Sequence, residues 1–278
     1  MLFRSPTIAF KLEDRFSVGI GLDWRISKIE LERHYPSIDP FTQQIVDVAD
    51  ATLTSDWNSG IGFNLGILAK PSENLSFGVA YRHKVSTDFS GSASFRQIQT
   101  GNNQLDTLVA GTLPAGAQDI TTTLEFPNMA SGGIAYQWGE WTVEGDVVWF
   151  HWSSFGNLDI TFTNDPALSQ TLREEWDNSF QYRLGIERKI GAAWAVRGGY
   201  FYDETPQPAL STGPLLPDAS RNGFALGFSY VSGKFRFDAG SWYLKFKDRS
   251  TEGTNRDNYN GTYTSKALTF GASFGYRF

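Results

Sequence analysis

The side chains best suited to act as a base near neutral pH are three histidines, His34, His83 and His151. Only His151 has hydroxyls close by, at Ser153 and Ser154. A serine nucleophile needs its base within hydrogen-bond reach and a third group to orient that base. On an extended strand Ser153 would share a face with His151 but lie roughly 7 Å further along it, out of easy contact. Three histidines without a shared spacing do not form a zinc set. With 0 Cys, thiol chemistry is also excluded. Glu144 and Asp146 fall on one face and could act as a carboxylate pair, but a cross-strand charge network explains them equally well. No glycine-rich phosphate loop lies between a strand and a helix. The sequence therefore predicts no catalytic residues, no metal and no cofactor. A net charge of −6 and a pI near 5.1 argue against nucleic acid, which asks for a basic face.

The elements that carry these residues have a period of two. Leu268, Phe270, Ala272, Phe274, Tyr276 and Phe278 alternate with Thr269, Gly271, Ser273, Gly275 and Arg277. Phe16, Val18, Ile20, Leu22 and Trp24 alternate with Ser17, Gly19, Gly21, Asp23 and Arg25. The same pattern runs through 75–82, 180–187 and 223–230, and no helical period of comparable length stands out. No stretch reaches the roughly 18 consecutive apolar residues of a membrane-spanning helix. A soluble sandwich also alternates. Here, however, the second face carries glycine and isolated charges rather than the mixed polar residues of a solvated sheet.

The connections alternate as well. Short turns at Glu13-Asp14, Pro71 to Asn74, Gly139-Glu140, Gly191 to Ala193 and Gly233-Lys234 separate long polar loops near 35–55, 97–120, 164–175, 204–220 and 248–264. Short turns at one end and long loops at the other is the arrangement of outer-membrane barrels. Phe16, Leu75, Trp141, Trp194 and Phe235 each open a strand just after a short turn and read as a girdle at the periplasmic interface, aromatic at all but Leu75. The expected fold is therefore an all-β transmembrane antiparallel barrel, a single domain over 1–278. About eleven strands are expected, near 6–13, 15–31, 56–70, 75–91, 122–138, 141–153, 176–190, 194–203, 221–232, 235–247 and 265–278. Because single-chain bacterial barrels are even-numbered and closed, an odd count predicts that N-terminal strands are missing. The lack of a signal peptide at the N-terminus agrees with that expectation.

The phase opposite the aromatic stripe faces the lumen. It carries Lys11, Asp23, Arg25, Arg82, Glu144, Asp146, Arg183, Glu187, Arg197, Arg236, Asp238 and Arg277. A ladder of cross-strand ion pairs is the simplest reading. A sharper one has Arg82 or Arg183 meeting a carboxylate headgroup through a bidentate contact. The run Val147 to Trp152 interrupts the alternation, so Val148, Phe150 and Trp152 would point inward. Phe201, Trp242 and Leu244 share that inward phase on their own strands. Such apolar lumenal residues suit a hydrophobic ligand, or alternatively pack on an infolded loop or plug.

Several segments resemble one family. These are Pro127 to Tyr136, Trp141 to Trp149, Trp152 to Phe155, Glu175 to Gly185, Val196 to Pro206 and Leu216 to Arg221. In order and spacing they resemble the FadL-type long-chain fatty acid transporters across essentially the whole chain. The resemblance implies a monomeric barrel of about fourteen strands with an N-terminal plug. It implies capture of long-chain fatty acids or other hydrophobic compounds at external loops, passage to a lumenal site, and lateral release. On that template the plug and first strands are absent here. The terminal Phe278, with Tyr276 and Phe274, resembles the signal read by the barrel assembly machinery. Expected partners are hydrophobic small molecules, outer-membrane lipids and lipopolysaccharide. Lys245 to Arg256 reads as a solvated loop before it reads as a lipopolysaccharide contact. A general diffusion porin, and an outer-membrane barrel enzyme, remain the competing functions.

Overall fold

Alternating β-branched and aromatic residues build strands along nearly the whole chain, and a computed structural model describes residues 2–214 and 216–278, with only the backbone of Arg33. The chain opens with β1 (Leu2–Arg4), β2 (Thr7–Glu13), β3 (Phe16–Ser27), β4 (Glu30–Ile38), β5 (Ile45–Ser55), β6 (Asn58–Ala69) and β7 (Leu75–Arg82). There follow β8 (Val85–Gln97), the helix α1 (Asn103–Thr112), β9 (Gln118–Phe126), β10 (Met129–Trp138), β11 (Trp141–Phe150), β12 (Asn157–Phe162) and β13 (Gln170–Arg173). The last third holds β14 (Ser179–Ile190), β15 (Trp194–Asp203), β16 (Arg221–Ser232), β17 (Phe235–Phe246), β18 (Arg249–Ser250), β19 (Thr262–Tyr263) and β20 (Lys266–Tyr276).

Twelve strands form the wall in the order β1-β3-β6-β7-β10-β11-β14-β15-β16-β17-β20, with β2 also on β3. Both β1 and β2 pair with β3, and the break between them falls at Ser5-Pro6, where proline has no N–H to give. The twelve strands thus fill eleven places, the number expected from periodicity. All wall pairs are antiparallel. Among the described residues the outer edges of β2 and β20 carry no strand partner.

The apolar stripe is not a core. Leu226 is 71% exposed, Phe270 74% and Leu184 57%. A soluble sandwich would bury those positions, whereas a lipid-facing wall leaves them to the hydrocarbon.

The long connections differ from expectation. Of the segments read as loops, 35–55 belongs in large part to a second sheet of six strands in the order β13-β12-β9-β8-β5-β4, while 97–120 holds α1 and 164–175 contributes only β13. The strands expected at 15–31, 75–91 and 122–138 are each split: β3 ends at Ser27, β7 ends at Arg82 and β9 gives way to β10 after Phe126. The chain then changes partners, as β8 leaves the wall to pair with β5 and β9. Gly60 makes that crossing possible. A Cβ on it would lie 2.4 Å from the Ser86 carbonyl oxygen, so β8 passes directly over β6. The expected strand 141–153 ends at Phe150, and Trp152–Ser154 forms a 3-10 turn.

Candidate functional site

The outer sheet and α1 together form an apolar groove. The helix starts where Asn102 accepts from the Gln104 N–H at 3.1 Å and the Leu105 N–H at 3.4 Å. Asp106 in its first turn accepts from the Thr100 N–H at 2.9 Å and the Thr100 hydroxyl at 2.8 Å. Leu105 and Val109, one turn apart, bury themselves against Val48 of β5. Across the groove Ala93, Ile120, Ile160 and Phe162 form a second cluster, with Leu53, Phe95, Leu168 and Leu172 packed on it. The space between measures about 650 Å³ and is walled mainly by Tyr35, Ile38, Leu53, Phe95, Leu108, Leu113 and Phe162. That volume lies within the range of small-molecule sites, and the lining is of the apolar kind such sites use.

Asp39 holds the rim of the groove. Its carboxylate accepts from the Phe41 N–H at 2.8 Å and the Thr42 hydroxyl at 2.8 Å. Those hydrogen bonds, the Phe41 amide first, hold its carboxyl below the usual carboxylate range. A carboxyl lowered by folding contributes its full stabilisation above its unfolded value and loses it as pH falls through the folded one. Protection of the Phe41 and Thr42 amides, taken relative to the intrinsic exchange rate at each pH, is therefore expected to stay flat through the neutral range and fall only below the usual carboxylate range. Protection already lost on going from pH 7 to pH 5 would assign the rim to another group.

The inner face of the wall carries a second apolar patch. Phe201 of β15 lies flat over Gly223 of β16, whose added Cβ would meet the ring at 2.1 Å. That seat places the Phe201 ring 6.1 Å from the ring of Trp242. Leu244 is registered opposite Gly223, and Phe246 opposite Arg221. These side chains line a cavity of about 660 Å³ with Arg183, Glu144 and Asp146. A neighbouring cavity of about 650 Å³ shares those three charged residues and adds Val148 and Met129. Replacing Gly223 with alanine should push the Phe201 ring into the cavity, weakening ligand binding about tenfold while leaving the fold intact. Titration of the folded variant with a hydrophobic ligand checks this.

The ligand-site residues expected from sequence separate into two groups. Phe201, Trp242, Leu244 and Arg183 meet in one cavity, with Val148 in the next. Arg183 donates to Gln181 and has no acidic side chain within 4.0 Å among the described residues. Arg82 is instead committed to Asp23, its Nε 3.0 Å from Oδ2, an ion contact without the alignment of a hydrogen bond. Phe150 is half-buried at the outer end of β11 and lines neither cavity. Trp152 does not point inward from a strand. Its 3-10 turn packs it on Trp176, ring centroids 4.9 Å apart, with Phe155 completing the cluster. His34 sits on β4 beside Asp50 at 2.8 Å.

Among the other inward charges Glu187, Arg197, Arg236 and Asp238 form one network, whereas Lys11 pairs with Asp14 and Arg25 lies over the Phe126 ring. Arg197 donates to Glu187 at 2.7 Å and to the Ser229 hydroxyl at 2.6 Å. Ser229 donates to Asp238, which also takes two bonds from Arg236. The outer groove was missed because residues 97–120 read as a loop. Asn102 followed by Leu105, Leu108, Val109 and Leu113 carries the cap and helical spacing that would have shown α1.

The chain matches, over residues 3–278, the family described as outer membrane protein transport protein (OMPP1/FadL/TodX). It is 28% identical over 290 residues to a long-chain fatty acid transport protein of Escherichia coli O6:H1, covering 97% of this chain and 65% of that protein. The chain thus spans about two thirds of the length of the relatives it matches. A crystal structure of a Pseudomonas aeruginosa FadL homologue superposes with a TM-score of 0.82 at 21% identity, covering 98% of this chain and 66% of that one. The CymD monoaromatic hydrocarbon channel gives 0.68 at 20% identity, covering 98% and 72%. At those identities the two structures speak for the fold. The wall with its lipid-facing stripe and the sequence match over nearly every residue agree: this chain is an outer-membrane β-barrel protein of the OMPP1/FadL/TodX family, a family of transport proteins rather than enzymes.

Proposed function

We propose that this chain handles long-chain fatty acids on their way across the outer membrane, collecting them in the outer groove and receiving them on the inner patch. The observation that carries the reading is the groove itself: about 650 Å³ of apolar space outside the wall, where a polar channel would have no use for it. The inner patch supports the same ligand. Phe201, Trp242, Leu244 and Phe246 offer rings and branched chains to an acyl tail. Among the described residues Arg183 beside them has no acidic side chain within 4.0 Å, whereas Arg82 is held by Asp23 and Arg221 by Asp203 and Asp218. A guanidinium facing a carboxylate makes a two-point contact that a hydrocarbon cannot reproduce. Sequence relatives named for fatty acid transport favour this class over aromatic hydrocarbons. The protein acts as a monomer and enters the membrane through the assembly machinery that reads its last strand.

Two variants test the reading by ligand chemistry. Trp242→Ala is expected to weaken both oleate and a neutral hydrocarbon by about tenfold, since it removes ring area common to both. Arg183→Ala should weaken oleate by a similar factor and leave the hydrocarbon unchanged. Equal losses for both ligands with Arg183→Ala would remove the carboxylate contact from the account. Conductance to small ions and sugars without saturable binding would turn the reading to a diffusion porin.

A further inference from the structure

The outward face carries a hydrogen-bonded row that transport does not use. The pairs Arg82–Met129 and Met129–Phe150 set the register of β7, β10 and β11. One residue further out, His83, Asn128 and His151 stand side by side. Backbone bonds hold that rung, from the His83 N–H to the Phe63 carbonyl at 2.8 Å and from the His151 N–H to the Asn128 carbonyl at 3.0 Å. The row has the outward phase of Tyr81, Ala130 and Trp149. It sits where the strands leave the wall for the outer sheet, at the level of the outer-leaflet headgroups.

Both imidazoles are fixed. His83 stacks on Phe63 with centroids 4.7 Å apart and 13° between planes, and His151 on Trp149 at 5.3 Å and 19°. The bonds also place the protons. The Lys84 N–H donates to Asn128 Oδ1 at 2.8 Å, which turns the Asn128 amide nitrogen towards His151 Nδ1 at 3.2 Å. An amide NH₂ only donates, so His151 Nδ1 accepts and the ring's proton is on Nε2. The Tyr81 hydroxyl lies 3.0 Å from His83 Nδ1 and 3.2 Å from Asn128 Oδ1, and so ties the His83 ring to the row through Nδ1. His83 Nε2 takes no part in the bonds of the row. Of the surrounding charges, Lys84 is held by Glu125 at 2.6 Å and Arg82 faces the other side of the wall on Asp23. Among the described residues neither imidazole has an acidic partner within 4.0 Å.

Two strand spacings separate the rings, roughly 10 Å. One phosphate cannot reach both, whereas a phosphorylated disaccharide carries oxygens that far apart. We propose that the His83–Asn128–His151 row docks the phosphorylated sugar headgroup of an outer-leaflet glycolipid, lipopolysaccharide. His151 donates from Nε2 to a headgroup oxygen, and His83 turns its own Nε2 to a second.

The test uses the full chain folded in vesicles of neutral lipid and titrated with lipid A, dephosphorylated lipid A or inorganic phosphate. Lipid A is expected to bind saturably and at least tenfold more tightly than either comparison ligand. His83→Phe with His151→Phe keeps both ring stacks and should lower lipid A affinity at least tenfold, while His34→Phe changes nothing. Should the double variant fail to fold, the nitrogen-15 resonance of His151 Nε2 in the unaltered chain is expected to shift on adding lipid A. An unmoved resonance, a folded double variant with full affinity, or inorganic phosphate binding as well as lipid A would each overturn the proposal.

Discussion

Asp23→Ala is expected to destabilise the wall by about 3 kcal/mol, the low end of what breaking a buried ion pair costs. The Asp23 side chain is 0% exposed, and its Oδ1 accepts from Ser5 at 2.7 Å and Asn64 at 2.8 Å, while Oδ2 faces Arg82 at 3.0 Å. Removal leaves Arg82 facing Arg25 across a site that Phe3 and Phe126 close on the Arg25 side. The cost stays at the low end because Arg82 is 37% exposed and regains some water. Asp23→Asn keeps an acceptor for Ser5 and should cost less than half as much. Urea unfolding from lipid vesicles, followed by tryptophan fluorescence, measures both. Equal stability of Asp23→Ala and the parent chain would mean that the cluster is hydrated and carries no structural weight.

A comparable effect is expected from Leu105→Ala, but confined to the outer sheet. Leu105 is 2% exposed and packs on Val48 and Val109. Truncating a buried leucine costs about 2–5 kcal/mol. Here the loss falls on the docking of α1, since a helix of 10 residues has little stability of its own. Amide exchange should therefore rise across 103–112 while the wall strands keep their protection. Ligand binding at the groove should fall by at least tenfold, because Leu108 and Val109 leave with the helix. Uniform loss of protection in the wall would show that the two sheets unfold together.

The contrast between these sites follows what was legible in the sequence. The wall could be read because its two faces meet different solvents, hydrocarbon outside and a polar lumen inside, so Leu268 to Phe278 alternates without a break. The outer sheet could not. Its strand β4 carries Pro36 at a register shift, and β5 pairs with β8, which in turn pairs with β9, contacts between segments far apart in sequence. Phe201, Trp242 and Leu244 line one cavity, as strand parity alone places them on one face. Parity failed for Trp152, because the sequence gives no sign that β11 stops at Phe150. Arg82 and Arg183 looked alike, as the ion pair to Asp23 depends on the register of β3, β6 and β7. Neither partner of that pair reveals the other by spacing.

The most direct test of ligand handling is calorimetric titration of the folded chain with oleate, repeated with Leu108→Asp and with Trp242→Ala. Leu108 lines the groove yet is 52% exposed, so a charge there spoils the apolar wall without opening a core. The account predicts saturable binding with a negative heat-capacity change, weakened about tenfold by each substitution. No saturable binding to a chain whose wall is fully folded would contradict it.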